Sequence, residues 1–223
     1  MMLFLVIVYM SYWDFIGDLA DGKRVLHVGC VGTWRPGHDN FACHKFLSKR
    51  AESVYGIDVD ESGIAHMNQE GLVATVASGE TFTSAVLYQS VMILSVLQFV
   101  RDPIVMLRNL QSVLESGGTI VVEVPNVYSF SNLVRNLFKF GARKNVQANG
   151  QSEWGEVSVF NASVLCNLLY LSGFEDVSIH SFQIKKCSRD KTIRENIRIL
   201  CNNIFWFFGT HFGPSLVAVA KKK

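Results

Sequence analysis

The chain has 223 residues, of which 49% are hydrophobic and 18% charged, enough to bury one sizeable core and too few for two full domains of ordinary size. This balance excludes a disordered chain. The net charge of +2 is unevenly spread, −5 over residues 1–130 and +7 over residues 131–223, so the basic half is either a solvated face or a surface for anionic partners.

The first ten residues are apolar but too short to span a bilayer, with no basic residue ahead of them and no small-residue cleavage pattern behind. An amphipathic pattern begins only at Ser11, so Met10 is an alternative start and residues 1–9 an upstream extension. Residues 12–19 read as a helix running into the turn Asp21-Gly22, 24–30 as a short apolar strand, and 40–50 as a helix after a Pro-Gly loop. Residues 54–59 form the second expected strand, followed by a helix over 61–70 that Gly71 closes, a third strand at 72–77 and a fourth, apolar almost throughout, at 85–94. Pro103 opens a helix expected to reach residue 115, with Gly117-Gly118 as its stop and a fifth strand at 119–124.

The alternation breaks over residues 127–159, where a basic amphipathic helix at 132–140 and a polar loop suggest a cap over the carboxyl edge of the sheet. Order resumes with a helix at 161–171 capped by Asn161, a strand at 177–184 and a final strand at 215–220 whose partner is antiparallel. Residues 185–213 form an insertion before that last strand. Strand and helix signals that alternate in this way describe a single α/β domain, a doubly wound, mostly parallel sheet with a helical cap.

In such a sheet ligands bind beyond the carboxyl ends of the central strands, where the turn after the first strand brings main chain close to the ligand. Gly29 and Gly32 lack a Cβ and permit that approach, and Asp58, at the end of the second strand, can accept both hydroxyls of an adenosine ribose. The five cysteines are odd in number and scattered without Cys-x-x-Cys spacing, so neither a disulfide framework nor a zinc site is indicated and a reducing cytoplasm fits.

Over residues 20–126, with a weaker echo at 160–184, the sequence resembles the class I S-adenosylmethionine-dependent methyltransferases. The resemblance lies in the glycine-bearing turn and Asp58, in Arg101-Asp102-Pro103 before a leucine-rich helix, in Leu114-Glu115-Ser116-Gly117-Gly118, and in Val124-Pro125-Asn126. It implies a Rossmann-like sheet, S-adenosylmethionine as cofactor, and a cofactor site drawn from His27, Gly29, Cys30, Gly32, Asp58, Val59, Ser78 and Gly79. The chain departs from the family pattern where His27 replaces an acid, where Val31 and Thr33 replace glycines, where Ser78 replaces an acid with Glu80 close by, and at Tyr88-Gln89 and Gln98-Phe99.

Cys30 reads as a packing residue of the turn, His38 and His44 as surface or helix-flank histidines, and Tyr128 and Glu156 as candidates for an acceptor pocket; no general base is assigned. The expected acceptor is a small molecule, a glycan or a lipid-linked group. Peripheral membrane contact through residues 132–140 and the aromatic run 204–208 stands beside a packed cap as a reading of those segments. No motif for specific nucleic-acid readout is present. A methyltransferase fold that binds without turnover is the alternative, and a nicotinamide-dependent oxidoreductase is disfavoured because Gly-x-Gly-x-x-Gly is absent.

Overall fold

The computed structural model describes residues 11–32, 40–129, 132, 156–182 and 213–223. The possible N-terminal extension, the loop at 33–39 with His38, the remainder of the expected basic helix, most of the expected insertion and the aromatic run 204–208 lie outside the described residues.

The described residues form a seven-stranded sheet. In chain order the elements are α1 (Tyr12–Ala20), β1 (Arg24–Val28), α2 (Asn40–Leu47), β2 (Ser53–Asp58), α3 (Glu61–Gln69), β3 (Ala74–Val76), β4 (Tyr88–Leu94), a 3-10 turn (Leu97–Phe99), α4 (Pro103–Ser112), β5 (Leu114–Pro125), α5 (Ala162–Leu171), β6 (Phe174–His180) and β7 (Ser215–Lys222). The strand order is β3-β2-β1-β4-β5-β7-β6. The first five strands run parallel, and β7 lies antiparallel to both β5 and β6. The chain moves outward from β1 to β3 and then returns to β4 on the other side of β1. The carboxyl ends of β1 and β4 therefore flank the crevice at which a doubly wound sheet takes its ligand.

Alternating side chains on the central strands serve two cores. Leu26, Val28, Val91, Ile93, Ile120 and Val122 face α4 and α5 and pack with Met106, Leu107, Leu110, Leu165 and Leu169. Val25, Met92, Leu94, Val121 and Val217 face the other way, against Ile16 and Ala20 of α1 and Cys43 and Leu47 of α2. Both faces are covered, which accounts for the near-continuous apolar runs in the central strands.

Helix starts are set by local chemistry. Ser11, Asp60, Asp102 and Asn161 each place a side-chain oxygen on a backbone amide of the first turn, and Pro103 adds its fixed φ at the start of α4. The expected α4 to β5 boundary is corrected. Helix α4 ends at Ser112 and the chain enters the sheet at Leu114, opposite Tyr88, before Thr119 pairs with Ser90. Gly117, at φ +71°, lies in that irregular stretch, so Gly117-Gly118 shapes a bulge within the strand and does not stop the helix. The fourth strand is also shorter than expected, starting at Tyr88, and the third spans only Ala74–Val76. The antiparallel partner expected for the last strand is present on both sides of β7.

Among the described residues no helix is long and apolar enough to cross a membrane. Asn161 gives the cleanest test of the capping argument, because its Oδ1 accepts from the Val164 amide at 2.9 Å. Asn161→Ala is expected to lower unfolding stability by about 1 kcal/mol in urea titration, and an unchanged midpoint contradicts the assignment.

Candidate cofactor site at the carboxyl ends of β1 and β2

Strand β1 ends at Val28 and the chain turns at once over β2. The amides of Gly29 and Cys30 both donate to the Ile57 carbonyl, at 2.7 and 3.3 Å. Gly29 and Gly32 hold φ values of +72° and +86°, in the left-handed region that side-chain-bearing residues avoid. Space is as tight as the backbone: a Cβ on Gly29 would collide with Val96, and one on Gly32 would come 2.8 Å from the main-chain nitrogen of Asn40. Asn40, the first residue of α2, donates from Nδ2 to the carbonyls of Gly29 at 2.7 Å and Leu94 at 2.9 Å. One amide thus joins the start of α2 to the ends of β1 and β4.

Asp58 closes the turn from the second strand. Its Oδ2 accepts from the Val31 amide at 3.0 Å and its Oδ1 from the Asp60 amide at 3.1 Å. Burial raises its pKa above the ordinary carboxylate value, while those backbone donors pull it back. The Val59 amide is a further backbone donor, so the three amides take up much of the carboxylate's capacity of about four acceptor positions and the remainder is left for a ligand. Val59 beside it leaves 45% of its surface exposed, an apolar flank next to an acceptor.

At the end of β3 the Ala77 amide donates to the Asp58 carbonyl at 2.9 Å, placing Ser78 and Gly79 one strand further out. Ser78 Oγ accepts from the Glu80 amide at 3.2 Å and lies 3.4 Å from the Glu80 carboxylate. Gly79 is pinned to α4: Asn109 Nδ2 donates to its carbonyl at 3.0 Å, and the position of a Cβ would be 2.5 Å from Met106 Cε. The structure therefore gathers Gly29, Cys30, Gly32, Asp58 and Val59 at two neighbouring strand ends, with Ser78 and Gly79 alongside.

His27 presents its ring elsewhere. Its side chain lies on the α2 face, fully buried, with Nδ1 3.3 Å from Nδ1 of His44 and the rings stacked at 5.5 Å. The expectation that His44 is a surface histidine is corrected: it too is fully buried, because α2 turns that position into the sheet. Burial lowers the pKa of His27 to about 3, with His44 adding to the shift, and burial alone lowers that of His44 to about 4. Two neutral rings brace the turn from behind. Gly56 admits them, since a Cβ there would lie 2.6 Å from Cys30 Sγ and 2.9 Å from His44 Cε1. The Cys30 thiol is pushed up to about 12, chiefly by burial and then by Asp58, and is a packing group, not a nucleophile.

A second polar group lies at the ends of β4 and β5. Glu123, 6% exposed, accepts at Oε2 from the Tyr12 hydroxyl at 2.9 Å and from Ser95 Oγ at 3.3 Å. Ser95 is a non-glycine residue at φ +57°, and its amide donates to the Glu123 carbonyl at 3.0 Å. The Tyr12 phenol is held well above its ordinary pKa by burial and then by the Glu123 carboxylate, so it stays a donor. Gln98 Nε2 donates to the Ser95 carbonyl at 2.9 Å, and the Gln98 carbonyl accepts from Val157 at 2.8 Å. This draws the segment with buried Glu156 across the same end of the sheet, while Tyr128 stands 54% exposed. Sequence reasoning missed Asn40, Val96, Tyr12, Ser95 and Glu123. Only Glu123, set within the apolar run of residues 120–124, was a visible signal.

No cluster of metal-ligating side chains occurs among the described residues. A cavity lined by Arg24, Ser53, Tyr55, Phe82 and Tyr88 opens at the opposite, amino-terminal ends of the strands. It is remote from the glycine turn.

Comparison with protein families matches residues 9–179 to a methyltransferase domain. Comparison with curated protein sequences finds no match. Among solved structures the chain is similar to an S-adenosylmethionine-dependent methyltransferase from Archaeoglobus fulgidus, with 21% identity over 93% of this chain and 90% of that one and a TM-score of 0.59. A Thermotoga maritima S-adenosylmethionine-dependent methyltransferase, described as a possible histamine N-methyltransferase, shares 16% identity over 96% and 88% of the two chains at a TM-score of 0.64. The N-methyltransferase NodS of Bradyrhizobium japonicum shares 15% identity over 94% and 93% at 0.57. At these identities the structural likeness is one of fold.

The buried histidine pair makes stability depend on pH with a definite sign. In the unfolded chain both histidines titrate near 6.5 and in the native protein only near 3 and 4, so above 6.5 the pair adds no pH dependence. As pH falls below 6.5, the unfolded state binds protons that the native state refuses, and stability drops by up to about 1.4 kcal/mol per pH unit for each ring. Urea midpoints measured from pH 7 to pH 5 are expected to fall more steeply in wild type than in a His27→Leu/His44→Leu double variant. Equal slopes contradict the burial argument.

Proposed function

The chain belongs to the class I S-adenosylmethionine-dependent methyltransferase family, and from that premise we propose that it methylates a small molecule, a glycan or a lipid-linked acceptor, with the cofactor seated on the turn between β1 and α2. The observation that carries the reading is the pairing of the Asp58 carboxylate with the Val31 amide inside a turn whose two glycines hold positive φ. A donor-poor, acceptor-bearing carboxylate suits the two hydroxyls of a ribose. The stretch from Gly29 to Gly32 exposes main chain at which the amino-acid tail can lie without steric cost.

In this reading Val59 packs against one face of the adenine, and Ser78 and Gly79 border its edge. Cys30 fills the underside of the turn. His27 acts from behind, with His44 keeping the end of β1 rigid without touching the ligand. When bound, the cofactor supplies a sulfonium-activated methyl group, so the chain's own task is to align an acceptor and exclude water. The departures from the family's acidic positions leave that task intact, because alignment needs fixed main chain more than it needs a strong base.

In the sequence, residues 131–223 carry a net charge of +7, and a lipid-linked acceptor with peripheral membrane contact stands in this proposal beside the small-molecule and glycan acceptors. Cys30 and Cys166, which carry no disulfide, agree with a cytoplasmic setting.

Calorimetry with S-adenosylhomocysteine tests the site. Binding is expected in the wild type, and Asp58→Ala is expected to weaken it by about 2–3 kcal/mol, roughly 30- to 150-fold, through loss of charge-assisted hydrogen bonds. Gly32→Val, blocked by the Asn40 backbone, is expected to abolish it. Wild-type protein that does not bind, or an Asp58→Ala variant that binds as well as wild type, rules the site out.

A further inference from the structure

We infer that Asn40 is a positioning residue for the cofactor: its side-chain amide stands in for the next rung between β1 and β4 and holds the Gly29 end of the turn, along which the amino-acid tail lies. The inference rests on the reading of the β1 turn as the cofactor site and assigns the side chain that sets its spacing.

The sheet forks at this point. Direct pairing of β1 with β4 ends at Val28 and Ile93, so the next register step would oppose Gly29 and Leu94. There each chain bonds to its outer neighbour instead. The Gly29 and Cys30 amides donate to Ile57 of β2, at 2.7 and 3.3 Å, and the Ser95 amide donates to Glu123 of β5 at 3.0 Å. The Gly29 and Leu94 carbonyls are left at the fork, and two carbonyls cannot bond each other because both only accept.

Asn40 supplies the donors that the fork lacks. Its Nδ2 lies 2.7 Å from the Gly29 carbonyl and 2.9 Å from that of Leu94. Both neighbours are acceptors, so the atom between them is the amide nitrogen, and each contact uses one of its two hydrogens. A serine or threonine hydroxyl has one proton and would serve one carbonyl. An ionised aspartate has none and would set a negative charge against two acceptors. With the amide in place, the Gly29–Cys30 peptide is held on both edges, by Ile57 through its N–H and by Asn40 through its C=O. The Leu94–Ser95 peptide is held in the same way between Glu123 and Asn40.

The same residue borders the far end of the turn, where a Cβ on Gly32 would come 2.8 Å from the Asn40 main-chain nitrogen. Asn40 thus meets both residues of the turn that hold positive φ, while Asp58 holds the middle through the Val31 amide. The two side chains serve different parts of the ligand. Asp58 meets the ribose directly, whereas Asn40 acts through the main chain that receives the tail. Removing the Asn40 amide releases the Gly29–Cys30 peptide on its β4 side and leaves the Val31 to Asp58 bond in place.

The test is calorimetry on the full chain with two ligands, S-adenosylhomocysteine and methylthioadenosine, which shares the nucleoside and lacks the amino-acid tail. Asn40→Asp keeps the length of the side chain and suits the first turn of a helix, but removes both donors. Asn40→Ala removes them without adding charge. Each is expected to keep a cooperative urea transition, to weaken S-adenosylhomocysteine about tenfold, and to weaken it at least threefold more than methylthioadenosine. Asp58→Ala is expected to weaken the two ligands alike. A role confined to starting α2 predicts no loss in Asn40→Asp. If one variant fails to fold, the other decides. A differential below threefold, or loss of the cooperative transition in both variants, overturns the inference. Wild-type protein that takes neither ligand defeats the cofactor-site reading, and the inference falls with it.

Discussion

One hydrogen bond organises the carboxyl edge of this sheet: the Val31 amide donating to the Asp58 carboxylate. It fastens the turn after the first strand to the end of the second, and the glycines on either side of Val31 make that geometry accessible. Without positive φ at positions 29 and 32 the amide would not face the carboxylate. Without the carboxylate, a part-buried donor would lose its partner in the chain. The supporting contacts follow from the same constraint. Val96 and Asn40 crowd the two glycines from the side of β4 and α2, Gly63 of α3 lets that helix lie against Val31, and the neutral His27 and His44 fill the space beneath.

The sheet order explains why the polar chemistry divides into two groups. Strands β2 and β3 lie on one side of β1 and strands β4 and β5 on the other, so Asp58 and Glu123 sit on strands separated by β1 and β4. Each carboxylate is held by donors from the chain itself, backbone amides for Asp58 and hydroxyls for Glu123. The two kinds of donor differ in freedom: amides in a rigid turn hold a carboxylate in one place, whereas hydroxyls both donate and accept and can turn about their C–O bonds. Helix α1 takes part in this second group through Tyr12, so its contribution extends beyond covering an apolar face.

Most of the architecture was legible from the chain alone because its signals are local. Apolar runs of strand length, Pro103 and Asn161 at helix starts, and Gly71 after α3 name their elements through backbone chemistry that acts within a few residues. The α4 to β5 boundary was misread because Gly117-Gly118 has the composition of a helix stop, and only pairing with β4 shows that it shapes a bulge. In the site, Gly29, Gly32 and Asp58 were readable from their order along the chain. His44 was not: nothing within four residues reveals that a histidine on a weakly amphipathic helix will be driven against the sheet. Tyr12 and Glu123 are 111 residues apart in sequence, and their contact exists only through the tertiary fold.

The most direct measurement is a crystal structure with S-adenosylhomocysteine bound. The account predicts electron density for both ribose hydroxyls against the Asp58 carboxylate and for the amino-acid tail along the main chain from Gly29 to Gly32. A nucleoside found instead in the cavity at the amino-terminal strand ends, or seated at the turn with its ribose away from Asp58, would contradict it.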